Sequence, residues 1–285
     1  MRVIFVRISP ALCVLAALIA LAPPALAQRE PPVQKELMER VGDWADYYLD
    51  HTPSFAAEET LSQTQREKRG GGARTIVSDY FFLRLASGSR DRGFFRDVLS
   101  VDGKQIQSAA ERDAKWPKLA TAKSFQEFSA LVEGPGKYEL APEQFSGLDR
   151  LASRFAVRYQ DRMRYFYAQD TSDGPSRNVL IGYRQESGEG LAIVDGIAVQ
   201  VSGQAWVDPD SGRIARIEEQ LRSKDANYWI AVEFAAAVPL DVWLPSSITV
   251  RVIEKGHVAL ESVYEYSKFR ALSSDPRAAA AAAKP

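Results

Sequence analysis

Cysteine is all but missing from this chain: 285 residues contain one, Cys13. It lies inside an N-terminal stretch that reads as an export leader, so the mature protein is expected to have none. Disulfides and thiolate chemistry are thereby excluded. Lipid attachment at Cys13 is not expected either, because Leu12 precedes it in the middle of an apolar run where a lipidated cysteine follows a small residue. Histidine is nearly as scarce, with only His51 and His257. They are far apart and have no cysteine to assist them, which is too little for a metal site. An excess of charge is lacking as well. The formal net charge is −1, and loss of Arg2 and Arg7 with an acid-free leader gives −1 − 2 = −3. Such a near-neutral chain offers no electrostatic case for nucleic acid or for an anionic membrane surface.

Long hydrophobic runs are also absent beyond the leader. Arg2 and Arg7 form its positive end, Ala11 to Ala22 its apolar run, and Ala25-Leu26-Ala27 a small-x-small cleavage signal. A membrane-spanning helix needs about 20 apolar residues. The run falls short, so it predicts a signal peptide over 1–27, cleaved before Gln28, with no permanent membrane anchor. The expected location is the periplasm or the medium. Roughly 260 residues remain, enough to bury about 70–75% of the unfolded surface in an ordinary core. A single domain is expected over 28–272, followed by an Ala-rich disordered tail over 273–285.

The mature chain opens with one amphipathic helix. Leu37, Val41, Trp44, Ala45 and Tyr48 fall on a single stripe, and Pro53 ends the pattern. The period then shortens to two. In RTIVSDYFFLRLA, Val77, Phe81, Leu83 and Leu85 share one face and Ile76, Tyr80 and Phe82 the other. GFFRDVLSVDGKQI continues the alternation and turns at Asp102-Gly103, while FAAEETLSQTQRE is a weaker strand. Apolar residues on both faces imply a sheet covered on both sides, or curved around a cavity.

Two short helices are expected between strand groups. One starts at the capping box Ser124–Glu127 with Phe125, Phe128, Leu131 and Val132 on its face, and ends at Gly134-Pro135-Gly136. The other starts near Ser146–Asp149 with Leu148, Leu151, Ala152 and Phe155. The remainder alternates as a meander of antiparallel strands. Within it, Pro209-Asp210-Ser211-Gly212 has turn chemistry that would pair Val207 with Ile214 and Trp206 with Ala215.

Chemistry-bearing patterns are few. No G-x-S-x-G elbow occurs, and Gly70-Gly71-Gly72 lacks the Lys-Ser/Thr of a phosphate loop. Glu58-Glu59 and Glu218-Glu219 sit on strands, so the members of each pair point to opposite faces and form no acid–base couple. Glu233 on an apolar strand is explained by an edge or a cross-strand partner. Arg150, Arg154 and Arg158 recur four apart, with Arg162 and Arg164 amid Tyr159, Tyr165, Phe166 and Tyr167. A solvated helix face paired with Asp149 and Asp161 is the favoured reading, ahead of a lipid head-group contact or stacking on single strands. No residue is assigned a catalytic, cofactor-binding or metal-ligating role, no cofactor is implied, and none is designated a ligand contact.

The segments AWVDPDSGRIARIE, VWLPSSITVRVI and YEYSKF, together with YFFLRL and FFRDVLSVDGKQI, carry a resemblance. In order and spacing they resemble the outer-membrane lipoprotein-carrier and lipoprotein-sorting superfamily of the bacterial envelope. The resemblance implies an α+β fold: a strongly curved antiparallel sheet, an incomplete β-barrel, with an N-terminal helix and short lid helices over an apolar cavity. Carriers of that superfamily use an arginine near an early strand to hold the lid closed. Arg84 and Arg96 lie in that region, and the role is assigned to neither. The insert from Ile106 to Asp161 departs from a minimal carrier.

The expected function is non-enzymatic binding of a hydrophobic ligand, a lipid or an acylated protein, on the concave side of the sheet. The competing reading is a packed core with no ligand space, in a module that docks another envelope protein by a sheet edge or its helices. A hydrolase would require His51 or His257 buried beside a serine and a carboxylate.

Overall fold

The computed structural model describes residues 32–66, 71–84, 92–122, 124–141, 149–168, 177–194, 197–224 and 226–272. The leader, Gly70, Leu85, Ser146 to Leu148 and the tail lie outside them.

The amphipathic stripe forms helix α1 (Lys35–His51), with Leu37, Met38, Val41, Ala45, Tyr48 and Leu49 buried. Thr52 closes it, its amide and hydroxyl both donating to the Tyr48 carbonyl. Thirteen strands follow among the described residues: β1 (Phe55–Gln65), β2 (Gly72–Arg84), β3 (Arg92–Val101), β4 (Lys104–Gln105), β5 (Met163–Tyr167), β6 (Val179–Gln185), β7 (Ala192–Val194), β8 (Ile197–Val199), β9 (Val201–Val207), β10 (Ile214–Arg222), β11 (Asn227–Ala237), β12 (Val242–Glu254) and β13 (His257–Ala271). Eleven make one antiparallel sheet in the order β4-β3-β2-β1-β13-β12-β11-β10-β9-β6-β5, while β7 and β8 pair separately. The end strands do not pair with each other, so the sheet is not closed into a barrel.

The sheet is strongly bent. Neighbouring strands lie about 4.8 Å apart, so β3 and β12, four places apart, would be about 19 Å apart in a flat sheet. Yet Phe94 of β3 and Pro245 of β12 line one small cavity under α1. α1 likewise reaches both limbs. Arg40 donates to the Pro209 carbonyl in the β9–β10 turn at 3.1 Å, and nine residues later the Leu49 carbonyl accepts from Arg92 of β3. Register shifts at Ala56/Glu58, Val77/Ser78, Ile214/Arg216, Glu233/Phe234 and Val252/Ile253 supply the bends.

The expected hairpin pairs Val207 with Ile214, but Trp206 faces Arg216 rather than Ala215. A bulge at Ala215 absorbs one residue, which lets Ile214, Ile217, Glu219 and Leu221 all face the core.

The insert is more helical than its sequence predicts. Helix α2 (Ala109–Thr121) went unforeseen because it contains Pro117 and only one fully buried residue, Leu119. Its signal was the capping box of Ser108 and Glu111, each bonding the other's backbone amide. The helix expected after Ser124 is one turn, α3 (Phe125–Ser129). Further on, α4 (Asp149–Ala152), a 3₁₀ turn (Ser153–Phe155) and α5 (Val157–Gln160) bury Leu151, Ala152 and Phe155.

Both faces of β1–β3 are covered. On the inner face Phe55, Tyr80 and Phe82 join the main core with α1. On the outer face Phe81 packs with Leu119 and Phe128 of the insert. There Asp79 takes a bidentate bond from Arg112 (both 2.6 Å) and one from Arg270 (2.9 Å), and Asp97 binds Lys115 at 2.7 Å.

Candidate functional site

The C-terminal half of α1 lies across the inner face against β11 and β12. Trp44 stacks on Tyr48, and both meet the edge of Phe234, with ring centroids 6.0 and 5.9 Å away. Beside this contact opens a cleft of about 370 Å³. Its apolar walls are Trp44, Tyr47 and Tyr48 on one side and Ala236, Val238, Val242 and Trp243 on the other, and Thr52, Arg213 and Asp241 add polar groups to the lining. At the rim Tyr47 is 60% and Val238 83% exposed. Trp243 is fixed by its indole N–H, which donates to the Ile214 carbonyl at 2.8 Å, and by the Arg213 guanidinium 4.2 Å above its ring. Behind Tyr48 and Thr52 the small cavity begins, floored by Phe55, Phe82 and Phe94.

The helix that roofs the cleft is held at its end by strand arginines. An α-helix leaves its last four carbonyls without internal partners. Arg84 donates to the carbonyls of Leu49 (2.6 Å), Asp50 (2.6 Å) and Thr52 (3.2 Å), and Arg92 donates to that of Leu49. Two cations at the negative end of the helix dipole reinforce the grip. Of the two arginines noted in the sequence, Arg84 therefore sits on α1 while Arg96 does not. Arg96 reaches Glu59 at 2.7 Å and lies over the rings of Tyr80 and Tyr264. Arg92, which sequence reasoning missed, joins Arg84; its placement at the first position of a strand facing the helix end depends on the pairing of β2 with β3.

The other sequence candidates separate. His51 is exposed, stacks on Tyr47 at 4.4 Å and touches the Tyr47 carbonyl, so it lines the cleft. His257 is exposed at the β12–β13 turn. No cluster of three or more metal-ligating side chains occurs among the described residues. Glu58 pairs with Lys268 at the surface and Glu218 with Arg216, whereas Glu59 and Glu219 are buried on the inner face. Glu233 has its cross-strand partner in Arg216, at 2.9 Å.

The solvated arginine face holds at Arg158, which is exposed, and is corrected at Arg154. Arg154 is 3% exposed and forms a bidentate pair with Glu219, because the 3₁₀ turn rotates it away from Arg158 and into the sheet. Tyr183 donates to the same carboxylate, and burial together with that charge pushes its phenol well above the ordinary range.

No family model matches the chain, and no curated protein does. Solved structures do show similarity. One is described as a candidate outer membrane lipoprotein-sorting protein domain from Vibrio parahaemolyticus, at 10% identity and TM-score 0.42 over 82% of this chain and 91% of its own. A LolA superfamily protein from Nitrosomonas europaea has 12% identity and TM-score 0.34 over 82% and 93%. A DUF1329 family protein from Desulfovibrio piger has 14% and 0.39 over 85% and 93%. At these identities and TM-scores the likenesses carry no argument about activity, which has to come from the chain's own geometry.

Proposed function

We propose that this protein is an exported, non-enzymatic binder of an acyl chain, with its leader removed before Gln28. The chain enters at the cleft beside Tyr47 and Val238 and passes beneath the C-terminal half of α1. The observation that carries this reading is the cleft itself: aromatic-walled, about 370 Å³, and roofed by a helix whose end is tied down by Arg84 and Arg92. That volume lies within the range of small-molecule sites, roughly 300–1,000 Å³. Beyond the cleft the small cavity and the rings of Phe55, Phe82 and Phe94 give an apolar continuation once α1 shifts.

The test is organic extraction and mass spectrometry of mature protein purified from the exported fraction without detergent. A stoichiometric lipid, or uptake of an added fatty acyl probe, is the expected result. Lipid-free protein that takes up neither fatty acid nor phospholipid would overturn the proposal. Docking to an envelope protein would then lead, since the small β7–β8 hairpin exposes Ile193 (58%) and Ile197 (62%).

A further inference from the structure

The inner face holds a polar niche where an apolar one is expected. Ser78, Glu59 and Tyr266 stand directly opposite one another on β2, β1 and β13. Ser78 and Glu59 are each 1% exposed. One carboxylate oxygen of Glu59 accepts from Arg96. Its second oxygen, and the Ser78 hydroxyl, have no protein hydrogen-bond partner. Directly opposed residues have Cβ atoms about 4.5–5.5 Å apart, so one small group would reach both atoms. The register shift between Val77 and Ser78 sets Ser78 opposite Val98. Bulges of this kind commonly re-aim side chains beside functional sites. Leaving two buried polar atoms unmatched is costly, and a native core seldom does so without a reason.

A run of packed rings leads from the small cavity behind the cleft to the niche. Phe82 meets Phe94 at 5.4 Å, Phe94 meets Tyr80 at 6.4 Å, and Tyr80 meets Tyr266 at 5.2 Å, an aromatic series from the small cavity to Glu59. We infer that, if the cleft takes an acyl chain as proposed above, the niche receives the polar end of that ligand, and that this end is an uncharged hydroxyl. The charge balance selects it. Glu59 and Arg96 already neutralise each other, so an anion would face the carboxylate and an ammonium would face the guanidinium, each as an unpaired charge away from water. A hydroxyl donates to the free Glu59 oxygen and accepts from Ser78. It satisfies both atoms without adding charge.

The delipidated mature protein is titrated with 1-monooleoylglycerol, oleate and methyl oleate, by displacement of a fluorescent fatty acyl probe. The glyceride is expected to bind at least about tenfold tighter than either competitor, the gain of one hydrogen bond to a charged acceptor. Ser78→Ala and Glu59→Gln should each bring it to within about threefold of methyl oleate while leaving methyl oleate unchanged. Equal binding of all three probes, or a preference that survives Ser78→Ala, overturns the niche and leaves acyl binding standing; a water molecule then satisfies the two atoms. Failure of every probe overturns the acyl-binding reading itself. Should Glu59→Gln not fold, Ser78→Ala decides alone.

Discussion

Arg154 and Glu219 meet in the core as a bidentate ion pair, with N···O distances of 2.9 and 3.1 Å, although 65 positions separate them in the chain. Arg154 also donates to the Leu191 carbonyl, and its own carbonyl accepts from Tyr165. One side chain thus fastens the α4–α5 segment to β10. Breaking a buried pair from one side strands the other charge, at about 3–5 kcal/mol. Glu219→Gln should therefore lower stability by an amount of that order in urea titration. The double change Arg154→Met with Glu219→Leu should cost clearly less than either single truncation. A double variant as unstable as Glu219→Gln would show that the pair is not the fastening.

Gly212 is held by two constraints at once. Its φ is +70°, and a Cβ there would lie 2.4 Å from the backbone carbonyl of Arg40 on α1. Gly256 has a φ of +78° with nothing within 4 Å. Both positions to Ala carry the left-handed penalty, about 1 kcal/mol. Only Gly212→Ala must also push α1 off the β9–β10 turn. Thermal melts should rank Gly212→Ala well below Gly256→Ala, and equal melting temperatures would mean that the helix does not rest on this turn.

Much of this was legible in the sequence. The period-two runs predict the meander and the 3.6 period predicts α1, because both patterns are local and strongly apolar on one side. Pro209, Asp210, Ser211 and Gly212 mark the turn for the same local reason. The bulge at Ala215 was not legible, since it is set by which residues reach the core across three strands. Nor was the burial of Arg154, whose partner comes from a distant strand. The cleft was foreseen only as a concave side; its walls come from α1, β11 and β12, which are joined by tertiary folding alone.

The same turn predicts an acid-side effect. The Asp208 carboxylate accepts from the Asp210 amide at 3.0 Å and from the Ser211 hydroxyl at 2.9 Å, and these bonds hold it below its ordinary value of 3.8. A depressed folded value means stabilisation that is fully present above the unfolded value and is lost as pH falls through the folded one. Asp208→Asn should therefore narrow its stability gap to wild type as pH drops below about 4. A titration midpoint for Asp208 at or above 3.8 by NMR would contradict the bonding.

Arg84 reaches three carbonyls with one planar fork, a geometry that the ammonium of lysine cannot reproduce. Arg84→Lys should leave the sheet amides protected while those of the last two turns of α1 exchange at least about tenfold faster, the loss of one or two charge-assisted bonds. Hydrogen exchange read by mass spectrometry resolves the two regions. Uniformly faster exchange would instead place Arg84 in the global stability of the fold.

Val238 offers a probe of the cleft that leaves the core alone. It is 83% exposed, so it adds little to stability, yet it forms one rim of the cleft opposite Tyr47. Val238→Asp puts a charge where an acyl chain would cross into the apolar walls. Melting should stay within about 0.5 kcal/mol of wild type, as for most surface changes. Uptake of a fluorescent fatty acyl probe should weaken several-fold, because the chain must pass a solvated carboxylate that it cannot pair with. Val238→Leu keeps the rim apolar and should bind as wild type does. If Val238→Asp and Val238→Leu take up the probe equally, acyl chains do not enter between Tyr47 and Val238, and the cleft has to be given another occupant.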